Sequence, residues 1–265
     1  MPLVGCFVTP HPAIIVPEVG GGELVHVDAT VKAMLAAGVE ATRLDPETIV
    51  LLSPHSPLAR SQMGVSLASG YRGSLAFFRA PHVTLEAAGN RDLARAIISE
   101  AESRGIPALA TAGPAETVDL DHGSMVPLYY LMGGLKRSVK LVVLSFSYLS
   151  LEEHVRFGEA VGRVLLADPS RTIYVASADL SHRLLPGAPA GYDARAGEFD
   201  KAVADAFADG DWAGLMAIDP GLVHAAGECG YRSLAVLSGV VNSVESSGGS
   251  AQNHLLSYEG PFGVG

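Results

Sequence analysis

Apolar residues gather along this chain in short continuous runs rather than in strict alternation. Leu3 to Val8, Thr48-Ile49-Val50-Leu51-Leu52, Lys140 to Ser145 and Arg171 to Ala176 are rich in branched side chains, and each meets a serine, a threonine or a proline at or near its end. Runs of that length and kind are the pattern of strands buried on both faces. Between them the period changes to that of helices. Glu23 to Ala37 carries Leu24, Val27, Val31, Met34 and Leu35 and is expected to stop at Gly38. Asn90 to Ser103 has Asn90 as a cap and Gly105 beyond its end, and Met125 to Leu135 has Ser124 as its expected N-cap. Ser150-Leu151-Glu152-Glu153 is a capping box for a helix reaching about Ala167, and Tyr192 to Phe207, Gly210 to Met216 and Arg232 to Val241 are further helices. Gln62 to Ala68 and Ser74 to Ala80 are expected to form a hairpin through Gly70-Tyr71-Arg72-Gly73, and His254 to Tyr258 a last strand.

Strands alternating with helices predict one α/β domain over residues 1–265, with a mostly parallel or mixed central sheet flanked by helices. In such a sheet ligands bind outside the carboxyl ends of the strands, so the active site is expected there. The chain places histidines at these points. Thr9-Pro10-His11-Pro12 follows the first strand, Ser53-Pro54-His55-Ser56-Pro57 the second, and Ser177-Ala178-Asp179-Leu180-Ser181-His182 the fourth. His122 stands in the polar turn Asp119 to Ser124, at a helix entrance. The flanking prolines restrict the backbone around His11 and His55. Asp179 reads as a hydrogen-bond anchor for its own turn. Met125 and Met132 read as helix core, and Trp212 as packing a helix onto the sheet.

Composition narrows the classes. The 265 residues have a formal net charge of -10 and 48% hydrophobic content, without a Lys/Arg cluster, which excludes nucleic acid and acidic membranes as expected partners. No apolar run is long enough to span a bilayer and no secretory signal is visible, so a cytoplasmic location is expected. Cys6 and Cys229 are the only cysteines, too few for a disulfide framework; Cys6 reads as core. Cys229 lies in Ala226-Gly227-Glu228-Cys229-Gly230-Tyr231, where a carboxylate and a thiol sit between glycines in an otherwise apolar region.

His11, His55 and Glu228 together make two imidazoles and one carboxylate, the ligand set of non-haem Fe(II) oxygen chemistry, which leaves open positions for an aromatic diol anion and dioxygen. His122 and His182 are then free for proton transfer. Taken in order, Thr9-Pro10-His11-Pro12, Ser53-Pro54-His55, Asp121-His122-Gly123, Ser177 to Arg183 and Gly227-Glu228-Cys229-Gly230-Tyr231 resemble the motifs of class III extradiol ring-cleavage dioxygenases, the LigB-type catalytic subunit and its Memo-like relatives. The resemblance extends over nearly the whole chain. It implies His11, His55 and Glu228 as metal ligands, His182 as the acid-base residue and His122 as a second histidine assisting substrate or oxygen. It also implies Fe(II), a catechol or aminophenol substrate with O2, association into a homo-oligomer, and a lid or partner subunit supplied by another chain.

Memo-like relatives carry a cysteine before the glycine of the last motif, so Cys229 is the alternative third ligand. A hard carboxylate suits ferrous chemistry and favours Glu228, whereas a thiolate suits copper or zinc. The second reading is therefore a non-catalytic Memo-like module that binds metal, peptide or protein in the same cleft. A zinc hydrolase using Glu228 or Asp179 as base is a minor third; neither His-Glu-x-x-His nor Gly-x-Ser-x-Gly occurs to support it.

Overall fold

The computed structural model describes residues 2–265. In chain order the elements are β1 (Leu3–Thr9), α1 (Pro17–Gly20), α2 (Asp28–Leu44), β2 (Thr48–Leu52), β3 (Met63–Ser66), β4 (Gly70–Leu75), β5 (Ala80–Gly89), α3 (Arg91–Ser103), β6 (Ala108–Ala112) and β7 (Thr117–Asp119). They continue as α4 (His122–Met132), β8 (Lys140–Ser145), α5 (Leu151–Ala167), β9 (Thr172–Ser177), α6 (Ala196–Asp209), α7 (Trp212–Met216), α8 (Pro220–Ala226) and α9 (Tyr231–Ser246). Among the described residues nine strands form one mixed sheet in the order β1-β9-β2-β8-β5-β4-β7, with β3 pairing both β6 and β8. The β1-β9-β2-β8 block is wholly parallel, so the ends of four strands open on the same side.

Three of the four continuous apolar runs are buried as expected; β1, at the sheet edge, is only partly so. Every residue of β2 and β9 is buried. Side chains alternate across a strand. Ile49 and Leu51 accordingly join the core shared with α2 and α4, while Val50 and Leu52 join the one shared with α3, α5 and α9. On that second face α5 and α9 cross at Gly158 and Gly239, where a Cβ on either residue would strike the other helix's backbone. The Ser150 capping box starts α5 and the Asn90 side chain caps α3, as the sequence predicts.

Several expectations are corrected. Residues 21–27 form a 3-10 turn, and α2 begins at Asp28 and runs through Gly38 to Leu44. Gly38 is not a stop but a close approach: a Cβ there would lie 2.5 Å from the Tyr130 carbonyl oxygen. The left-handed cap is Asp45, with φ 47°. The Gly70 to Gly73 segment is strand β4 rather than a turn; it pairs antiparallel with β5 around residues 76–79, and β3 pairs elsewhere. Asp121 caps α4 in place of Ser124, which puts His122 inside the helix. Residues 254–258 join no ladder; Tyr258 instead donates a 2.6 Å hydrogen bond to buried Asp200. Cys6 is exposed rather than part of the core. No helix among the described residues is long and apolar enough to cross a membrane.

Candidate metal and active site

His11 stands two residues past β1 and is 1% exposed. Three contacts hold it. Its backbone N–H donates to Asp179 Oδ1 at 2.7 Å, its Nδ1 lies 2.9 Å from Ser177 Oγ, and its Nε2 lies 3.2 Å from Asp179 Oδ2. Ser177 ends β9 and Asp179 follows it, so the neighbouring parallel strand supplies both partners. The sequence alone did not identify these contacts, and Asp179 anchors the turn of His11 rather than its own.

His55 reaches the same point from β2. Its Nε2 is 3.0 Å from His11 Nε2, with ring centroids 4.9 Å apart. His122, in the first turn of α4, packs its ring 4.2 Å from that of His55 and 5.6 Å from that of His11. Asp121 joins the two elements. Its carboxylate accepts from Ser53 Oγ at 2.6 Å and Ser56 Oγ at 2.8 Å on the His55 loop, and from the Ser124 amide at 2.9 Å in α4.

Cys229 completes the cluster on the other side of His11, with Sγ 3.6 Å from His11 Nε2. The chain turns into this segment through Gly227 at φ 61°, the left-handed end of α8. The ligand atoms of His11, His55 and His122 lie within 4.8 Å of one another, as do those of His11, Asp179 and Cys229. Glu228 belongs to neither group. Its Oε2 accepts from the Tyr231 amide at 2.5 Å, at the start of α9. His182 is partly buried; its amide donates to the Ala226 carbonyl at 3.0 Å and its ring Nδ1 is buried without a hydrogen-bond partner.

Burial sets the charge state of the cluster. His11, His55, His122 and His182 are all held below the usual imidazole range, first by desolvation, and in His11 further by the other three rings. Asp121 pulls His55 and His122 back part of the way. The backbone of Gly227 and Leu180 does the same for His182, without meeting hydrogen-bond geometry at Nδ1. Burial pushes Asp179 up to about 7 and raises Glu228 and the Cys229 thiol as well. Neutral imidazoles, a carboxyl group and a thiol crowded around one ring nitrogen form a donor set that a divalent cation fits, since it would replace protons that otherwise compete for the same lone pairs.

The family described as the catalytic LigB subunit of aromatic ring-opening dioxygenase matches residues 5–265. Protein CA_C1420 of Clostridium acetobutylicum is 36% identical over 270 residues, covering 100% of this chain and 56% of its own length, so the chain spans about half of that relative. Among solved structures, an uncharacterized protein from Escherichia coli K12, JW3007, shares the fold with a TM-score of 0.57 at 19% identity, over 79% of this chain and 82% of that one. With the family matched over nearly its full length, the chain belongs to the LigB family of aromatic ring-opening dioxygenase catalytic subunits.

Proposed function

We propose that this protein is a non-haem Fe(II)-dependent extradiol dioxygenase acting on a catechol or aminophenol ring. The observation that carries the proposal is the 3.0 Å approach of His11 Nε2 to His55 Nε2 at the carboxyl ends of parallel strands, in a chain of the LigB family. His11 and His55 would hold the metal, with a third donor from the Asp179–Cys229 side of His11. Glu228 lies outside both ligand groups and would join them only by moving its carboxylate toward the cluster. A ferrous ion so held supplies a Lewis acid at which both reactants can meet.

The remaining chemistry falls to the chain. The imidazole of His182, kept neutral by burial, would take a proton from the second hydroxyl of the bound diol. His122, locked beside His55 by the Asp121 cap, would orient the ring, and the imidazolium of His182 would return its proton as the ring opens. Protein loaded with Fe(II) without air, then given oxygen and a panel of catechols and aminophenols, should consume oxygen and form yellow ring-opened products. Absence of both across the panel overturns the proposal.

A second reading is favoured by one contact, the approach of Cys229 Sγ to His11 Nε2 while Glu228 is engaged elsewhere. A thiolate in the donor set suits zinc or copper, and the site would then be a Memo-like metal-binding cleft without ring-opening activity. Elemental analysis showing zinc or copper bound through Cys229 supports it.

A further inference from the structure

We propose that Ser177 is a positioning residue that fixes the tautomer of His11, placing the ring proton on Nδ1 and leaving Nε2 bare for a cation. The proposal rests on the reading of His11 as a metal ligand only for its consequence; the tautomer itself is a property of the chain. Ser177 is fully buried, and its Oγ has two partners, the Gly123 carbonyl oxygen at 2.6 Å and His11 Nδ1 at 2.9 Å. A carbonyl oxygen can only accept, and a serine hydroxyl has one proton to give. That proton goes to Gly123, so the contact with His11 is favourable only when Nδ1–H donates to the serine oxygen.

The assignment matters because it is contested. Nε2 of His11 faces Asp179 Oδ2 at 3.2 Å, and an ionised Asp179 would draw the ring proton to that side, where it blocks the lone pair a metal needs. Ser177 opposes this from the far edge of the ring. With Nε2 bare, His55 Nε2–H at 3.0 Å is its natural donor in the metal-free protein, and a cation replaces that proton. The Gly123 carbonyl belongs to the first turn of α4, beside His122. One hydroxyl therefore also sets β9 and β1 against the helix that carries the third imidazole. Partners of this kind behind a ligating histidine are typically worth about 10–100-fold in metal affinity.

The test is nitrogen NMR of the metal-free protein with 15N-labelled histidine, the His11 signals being assigned by the His11→Gln variant. Wild type should show His11 protonated at Nδ1 and bare at Nε2. Ser177→Ala should move the population toward Nε2–H and weaken Zn²⁺ binding about 10-fold or more, while Ser177→Thr, which keeps the hydroxyl, should restore both. An Nε2–H tautomer in wild type overturns the proposal, and so does a Ser177→Ala protein with unchanged tautomer and affinity. Loss of ring-opening activity with the Nδ1–H tautomer intact would count against the dioxygenase reading and leave this one standing.

Discussion

Nε2 of His11 and Nε2 of His55, 44 residues apart in sequence, lie 3.0 Å apart. Two imidazoles meet in this way because β1 and β2 both pair with β9 in parallel, so both strands end on the same side of the sheet. In water the two rings would have little reason to meet. Here desolvation keeps both neutral, which removes the repulsion two imidazolium ions would suffer and leaves nitrogen lone pairs available.

The roles of adjacent residues Glu228 and Cys229 separate by substitution. Glu228→Ala should cost about 1 kcal/mol of stability through the lost bond to the Tyr231 amide and leave metal affinity within a few-fold of wild type. Cys229→Ala should weaken metal binding and cost little stability. Denaturation curves and metal titrations of both variants check this; abolished metal binding in Glu228→Ala alone would restore the two-histidine, one-carboxylate arrangement expected from the sequence.

The pH dependence of the metal-free fold should change when Asp179 is replaced by Asn. Folding raises this carboxyl from 3.8 to about 7. A raised carboxyl stabilises the fold fully below pH 3.8, and that stability is lost as pH climbs through 7. The variant lacks this loss, so its stability relative to wild type should increase between about pH 4 and 7, by about 4 kcal/mol at roughly 1.4 kcal/mol per pH unit. His55, His122 and His182 give the opposite slope in both proteins, whereas His11, in contact with Asp179, adds its own change to the difference. Denaturant melts at pH 5 and pH 8 measure it; a constant difference would contradict the assignment.

Asp121 should matter to both fold and site. Its carboxylate caps α4 and accepts two hydroxyls of the His55 loop. Asp121→Ala is expected to cost about 2 kcal/mol, a lost cap plus unpaired hydroxyls, and to weaken metal binding as the His55 loop loosens. Asp121→Asn, which keeps an acceptor, should lose less. Equal metal affinity in all three proteins would show that the tie does not position His55.

What the sequence made legible follows from which forces are local. β2, β8 and the start of α5 were recoverable because continuous branched runs and a capping box carry their own signal. Gly70 to Gly73 misled because glycine marks turns by its backbone freedom, yet at Gly73 it is selected by the Met125 side chain packed over it. Gly38 misled for the same reason, being chosen by the backbone of a helix ninety residues away in sequence. His11, His55 and His122 were found by their places at strand and helix ends. Their supporting shell of Ser177, Asp179 and Asp121 was not, because which serine or aspartate a histidine meets is decided by strand order. Each left only a trace, Asp179 and Ser177 in the same strand-end run as His182 and Asp121 beside His122.

Calorimetric titration of a divalent metal, Fe(II) under anaerobic conditions, into the metal-free protein and its His11→Ala and His55→Ala variants tests the centre of this account. One ion per chain in wild type and loss of that site in each variant is the predicted result. Binding that survives in either variant with wild-type affinity would contradict it.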